Sequence, residues 1–363
     1  MTRTVALVYG HPLELGGVET HLLSLVGQKG AFRFRLVGEA RGAFRERLLG
    51  AGVEIEEWSP RSAWDRRAAL RLSKAMERVD LVHLHSPRAF FLGRLAARLR
   101  PRPSVLTVHV DTAAPGGFRN RLYARIERLL GTRFPDRVIY VSHRAFEEAA
   151  GSPFGMRGVV IGNAAPEAFP GTRAEARAAL GCREDARIVI CVARLSPQKD
   201  LGTLLASARL LGEGTFWIAG SGPLQGPLEA LARELGISER VLFLGARQDV
   251  PRLLRAADVF ALPSLYEGMS VALLEAMAAG LPCVATSVGD ADALLVETGA
   301  GLVVPTKSPP ALAEALRVVL RSPELRKKMG AAGLARAALF TEKATFEKTS
   351  AVYEEVLRIR AAP

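Results

Sequence analysis

Residues 262–280 read LPSLYEGMSVALLEAMAAG and carry two glutamates, Glu267 and Glu275, eight positions apart. Residues 259–262 before them are an apolar run of strand length. Pro263 and Gly268 punctuate a loop. Residues 270–279 are strong helix formers, with Gly280 and Pro282 as stop signals. The pattern predicts strand, loop and helix, with one carboxylate in the loop and the other inside the helix. Such a junction at the carboxyl end of a parallel sheet suits a nucleotide, and the amino end of the helix suits its diphosphate. Eight residues at a rise of ~1.5 Å hold the two carboxylates within about 12 Å. In a nucleotide sugar the sugar and the ribose flank the diphosphate at a similar separation. One carboxylate can then accept hydrogen bonds from sugar hydroxyls and the other from the ribose diol.

A second constellation lies upstream. Residues 188–193 form a predicted strand, and VARLSPQKD ends in a loop that carries Arg194 and Lys199. Two cations at the start of a helix can clamp a diphosphate and stabilise the charge that develops as the nucleotide leaves. The turn Gly220-Ser221-Gly222-Pro223 follows another strand. Gly222 would let backbone approach a nucleotide, and Pro223 is placed to open a helix.

The elements that must position these residues alternate between strand and helix patterns along the whole chain, which predicts parallel sheets built from βαβ units. Residues 5–9 are the first strand, and residues 10–17 are read as a loop that ends in Gly16-Gly17 without the full G-x-G-x-x-G spacing. Two histidines, His85 and His109, fall at the ends of later strands and could reach the ligand crevice, whereas His83 reads as core.

PSLYEGMSVALLEAMAAGLP resembles the signature of the family-4 retaining glycosyltransferases, the glycosyl transferases group 1, which have the GT-B fold. The resemblance is specific over about residues 190–289 and architectural elsewhere. It implies that Glu267 contacts the transferred sugar and Glu275 the ribose, with Met269 and Ser270 joining the donor contacts at the helix start. It matches Arg194 and Lys199 to the family's cation pair. GGVETHLLSL resembles the family's first loop, so Gly16 and Gly17 would face the diphosphate and acceptor. His109 would sit beside the reacting sugar in a polar positioning role. Two departures are visible: Asn163-Ala164 stands where the family usually has Asn-Gly, and Ala293 stands where it usually has Glu.

The expected fold is therefore α/β, with two Rossmann-like domains facing a cleft. Residues 1–165 would form the acceptor-side domain and 166–340 the nucleotide-sugar domain. Residues 341–363 would form a helix packing back on the first domain. The implied reaction moves a hexose-type sugar from a nucleotide diphosphate sugar to a hydroxyl of a lipid-linked acceptor or cell-envelope glycan, with retention. No cofactor and no metal are expected, because the cation pair neutralises the leaving group and no Asp-x-Asp pair stands at a strand end. Two other readings stay open: a sugar-nucleotide epimerase on the same fold, and a non-catalytic nucleotide-sugar-binding subunit.

Composition bounds the partners. The chain has 363 residues, 49% of them hydrophobic, and no run of about 18 uncharged apolar residues. The start, MTRTVALVYG, reads as a strand rather than a leader. Cys182, Cys191 and Cys283 lack metal spacing and read as reduced thiols of a cytoplasmic protein. The net charge of +12 is uneven: residues 1–165 hold 26 Lys and Arg against 15 Asp and Glu, and the remainder 23 against 22. That asymmetry suits an anionic partner, peripheral contact with an anionic inner-membrane face among the options. Residues 118–130, FRNRLYARIERLL, are basic and amphipathic, which fits either a lipid surface or packing on the protein's own sheet. No nucleic-acid motif is present, so nucleic acid is not expected.

Overall fold

A computed structural model of the chain describes residues 2–13, 16–28, 30–109, 134–152 and 154–361. The basic segment 118–130 and Asp111 lie outside the described residues. The chain divides into two compact units, residues 1–164 with 342–363, and residues 165–341.

In the first unit, seven strands form one sheet: β1 (Arg3–Leu13), β2 (Phe32–Ala40), β3 (Glu54–Glu57), β4 (Leu81–Leu84), β5 (Ser104–Val108), β6 (Arg137–Tyr140) and β7 (Gly158–Val160). Their order is β3-β2-β1-β4-β5-β6-β7 and every pairing is parallel. The winding reverses between β1 and β4, which makes their carboxyl ends the natural binding edge. Alternation along β1 sends Val5 and Leu7 to one face and Ala6 and Val8 to the other, so both faces are buried. Helix Gly17–Val26 covers the first face through Leu22 and Leu25. The terminal helix Glu342–Ala361 covers it through Phe346, Val352, Tyr353 and Val356. Tyr353 is fully buried, its ring edge-on to Phe32 and its hydroxyl 2.6 Å from His83 Nδ1. His83 Nε2 lies 2.6 Å from Thr107 Oγ1, so both nitrogens of this core histidine have partners.

β1 corrects one expectation. Residues 10–13 are strand, not loop: after a register shift, Pro12 and Leu13 pair with Glu39 and Ala40 of β2. On the other side β4 pairs with β1 only as far as Val8, so Pro12, which has no N–H to donate, sits where the strand is paired on one side.

The second unit holds β8 (Ile188–Val192), β9 (Thr215–Ala219), β10 (Val241–Gly245), β11 (Val259–Leu262), β12 (Cys283–Thr286) and β13 (Gly301–Val304). The order is β10-β9-β8-β11-β12-β13, again with parallel pairings, and the reversal falls between β8 and β11. A buried carboxylate fixes the entry to that reversal. Asp258, just before β11, accepts from the backbone N of Ile188 at 2.8 Å and from Arg177 Nη2 at 2.9 Å. The Arg177 guanidinium also donates to the carbonyls of Ala256, Arg183, Glu184 and Ala186, so its charge is committed to structure. No helix among the described residues is long and apolar enough to cross a membrane. Cys191 and Cys283 are buried in the second unit, and all three cysteines are free.

Candidate active site

The reversal in the second sheet brings two loops side by side. One follows β8 and carries Arg194 and Lys199. The other follows β11 and carries Glu267. Lys199 Nζ forms an ion pair with Glu267 Oε1, the side chains being only 16% and 11% exposed. Ser264 Oγ donates to the same oxygen at 2.7 Å. The loops are stitched through Gln198: its carbonyl accepts from Leu265 N at 2.8 Å, and its Nε2 donates to the Tyr266 carbonyl at 2.8 Å. Thr286 Oγ1, at the end of β12, donates to the Ser264 carbonyl at 2.5 Å. Glu267 is thus held on a loop tied to both flanking strands, which limits its freedom before any ligand arrives. Beneath it, burial pushes the Cys191 thiol up to about 12, so it stays protonated.

Ser270 Oγ accepts from Leu273 N at 3.4 Å and caps helix Val271–Ala278. Met269 is buried beside the cap. Glu275 lies in the second turn. Its carboxyl is displaced to about 7 by desolvation alone, and among the described residues no cation or donor side chain is paired with it. Arg194 is exposed and has no ion-pair partner among the described residues. The site therefore contains a pre-formed Lys–Glu pair, a cation open to an anion, and a desolvated carboxyl that donors would ionise.

Two glycines set how closely these loops approach. A Cβ at Gly222 would stand 2.4 Å from the Leu195 carbonyl oxygen, so what the turn 220–223 packs against is the backbone of the Arg194 loop. Gly289 has φ +54°, and a Cβ there would meet the Gly268 carbonyl oxygen at 1.9 Å. Only glycine lets residues 287–290 support the residue next to Glu267. The neighbouring Ala293 lies in helix Ala291–Leu295 and brings no charge.

In the first unit, Gly16 precedes and Gly17 opens helix Gly17–Val26. A Cβ at Gly16 would lie 2.8 Å from Glu19 Oε2. His85, at the end of β4, and His109, just after β5, meet there: His85 Nδ1 is 3.1 Å from His109 Nε2. His21, from the first helix, joins them. Its ring lies 4.9 Å from that of His109 and 5.6 Å from that of His85. Burial lowers all three imidazoles: His21 to about 4, with the Asn163 side chain partly opposing, and His85 and His109 well below the usual range, helped by neighbouring histidines. The three rings are neutral at physiological pH.

Sequence reasoning singled out both loops but not their direct contact, and it did not single out His21, Gln198 or Ser264. His21 had a usable signal: with Val18, Leu22 and Leu25 it lies on the inward stripe of the first helix. Gln198 and Ser264 act through backbone-directed bonds that no spacing announces.

Residues 172–336 match the family Glycosyl transferases group 1, and residues 15–165 match Glycosyltransferase Family 4. EpsD of Bacillus subtilis (strain 168), assigned by name to the glycosyltransferases, is 30% identical over 295 residues, 76% of each chain. The chain belongs to the family-4 glycosyltransferases. Another relative of this glycosyltransferase is UDP-Gal:alpha-D-GlcNAc-diphosphoundecaprenol alpha-1,3-galactosyltransferase of Escherichia coli, 29% identical over 259 residues, 66% of each chain. Among solved structures, Anabaena HepE in complex with UDP-glucose superposes with a TM-score of 0.86 at 22% identity, covering 97% of this chain and 100% of that one. That likeness shows the fold: an α/β glycosyltransferase with one Rossmann-like sheet in each unit.

Proposed function

We propose that this glycosyltransferase is a retaining, metal-independent hexosyltransferase whose donor, a nucleoside diphosphate hexose, binds on the second unit. The observation that carries the reading is the convergence of Lys199 and Glu267 at the β8–β11 reversal. Arg194 stands on the same loop as Lys199, and Glu275 lies on the helix that follows Glu267. In this reading Arg194, Lys199 and the capped helix end bind the diphosphate. Glu267 accepts from sugar hydroxyls while holding the Lys199 ammonium in place, and Glu275 accepts from the ribose diol. Gly222 and Met269 shape the pocket walls. HepE's complex with UDP-glucose and the galactosyltransferase's UDP-Gal donor support a uridine nucleotide.

The step is a substitution at the anomeric carbon. Its bond to the diphosphate oxygen breaks, and a bond to an acceptor hydroxyl oxygen forms on the same face through an oxocarbenium-like state. The acceptor proton passes to the departing phosphate. Two cations and aligned backbone N–H groups stabilise that phosphate, which is the larger part of the rate enhancement. His109, with Gly16 and Gly17, is assigned to the acceptor side. A lipid-linked sugar or envelope glycan is the favoured acceptor, which places the protein in the cytoplasm at an anionic membrane face.

A thermal-shift panel of UDP, GDP and ADP sugars, followed by product analysis in chelator, tests this. One uridine sugar should stabilise the protein, and nucleotide release should require a lipid-extract acceptor and yield a retained linkage. An epimerised donor without acceptor, an inverted product, or no turnover with any acceptor would reject the proposal.

A further inference from the structure

The first unit contains a cluster of imidazole nitrogens that the fold does not fully pair. His21, His85 and His109 come from three separate stretches of chain and converge beside β1, β4 and β5, neighbours in the sheet. One ring nitrogen from each lies within 4.8 Å of those of the other two. His21 is 2% exposed, and beyond the neighbouring Asn163 side chain neither of its nitrogens has a hydrogen-bond partner; Nε2 of His85, also 2% exposed, has none. A buried donor or acceptor left unpaired costs about 1–3 kcal/mol. His83, next in the same cluster of rings, shows what a purely structural histidine looks like here, with Tyr353 and Thr107 serving its two nitrogens.

The ring arrangement points to a ligand. Imidazoles on a tetrahedral zinc ion, with Zn–N bonds of about 2.0–2.1 Å, have ring centroids about 5 Å apart. The three centroid separations are 4.9, 5.4 and 5.6 Å. The planes are mutually inclined by 81°, 30° and 59°, so the rings are not a simple stack. Three neutral imidazoles, with no fourth ligand grouped with them among the described residues, suit a first-row divalent ion such as Zn²⁺ or Co²⁺ rather than Mg²⁺ or Ca²⁺, which prefer oxygen.

We propose that His21, His85 and His109 form a three-histidine site for a divalent transition-metal ion in the first unit. Its existence does not depend on the transferase reading. The ion would fix the ring of His109, and its fourth position would be open to water or to an oxygen-bearing group.

The test uses the full chain, stripped with chelator and titrated with Zn²⁺ and Co²⁺. One equivalent should bind, and Co²⁺ should give the intense visible band of a four-coordinate site. His21→Gln and His85→Gln should each weaken Zn²⁺ at least about 100-fold, more than loss of an outer-shell partner would. His11→Gln and Cys182→Ser should bind like the native chain. Circular dichroism and the thermal transition check that each variant is folded. Should His85→Gln fail to fold, the Co²⁺ spectrum of the native chain and the His21→Gln titration still decide the matter. Binding below one equivalent, a weak six-coordinate Co²⁺ spectrum, or native affinity in His21→Gln would overturn the proposal.

Discussion

Glu275→Gln separates the two things this carboxyl is asked to do. Its ordinary value of 4.5 is raised to about 7 by desolvation. At about 1.4 kcal/mol per unit, ionising it inside the fold costs about 3 kcal/mol at pH 8 relative to the unfolded chain. The sign follows from proton counts. Between about 4.5 and 7 the folded state holds the proton more tightly, so stability is full below the lower value and falls as pH rises through the upper one. Glutamine removes the charge but keeps a polar amide, so the net gain at pH 8 should be about 2 kcal/mol, shrinking to near zero at pH 5. For a unit of this size that is a rise in Tm of about 4–8 °C. Donor binding should move the other way. Hydrogen bonds to a charged carboxylate contribute about 1.5–3 kcal/mol, so donor affinity should fall about 10- to 100-fold. In the native chain that affinity should rise with pH until Glu275 is ionised, and the variant should lack this rise. Thermal melts and donor titrations from pH 5 to 8 measure both. A stability difference that does not change with pH, or native donor affinity in the variant, would refute the reasoning.

Three other perturbations follow from the same contacts. Lys199→Met strands Glu267 with Ser264 as its remaining partner. With the pair partly solvated, stability should drop about 1–3 kcal/mol and turnover at least about 100-fold, read by denaturant melts and initial rates. Gly289→Ala forces a methyl against the Gly268 carbonyl at a positive φ. It should cost about 2 kcal/mol or more and raise the donor KM, because residue 268 must shift. Tyr353→Phe leaves His83 Nδ1 buried without a partner and should cost about 1–3 kcal/mol, while donor affinity on the second unit stays native in a titration.

Much of the fold was legible because buried parallel strands are short apolar runs set between punctuating residues. β11 falls where the pattern predicts it, and β8 ends one residue short of its predicted range. β13 was missed: GLVV is four residues long, follows a Gly- and Ala-rich turn, and lies at a sheet edge where packing constrains sequence weakly. The residues of the candidate site stood out because carboxylates and cations at strand ends have few structural reasons to be there. Their mutual contact did not, since pairing Lys199 with Glu267 depends on strand order rather than spacing. Arg173 and Arg177 illustrate the opposite case. In sequence they look like surface charges on a helix, yet both engage Asp258, a residue 81 positions beyond Arg177.

The central claim is that a nucleoside diphosphate sugar rests on the second unit between Arg194, Lys199, Glu267 and Glu275. A crystal structure of the protein with an unhydrolysed UDP-hexose measures it directly. The account predicts the diphosphate oxygens within hydrogen-bond reach of Arg194 and Lys199, the ribose diol on Glu275 and the sugar hydroxyls on Glu267. A bound donor whose ribose and diphosphate avoid those four side chains would contradict it.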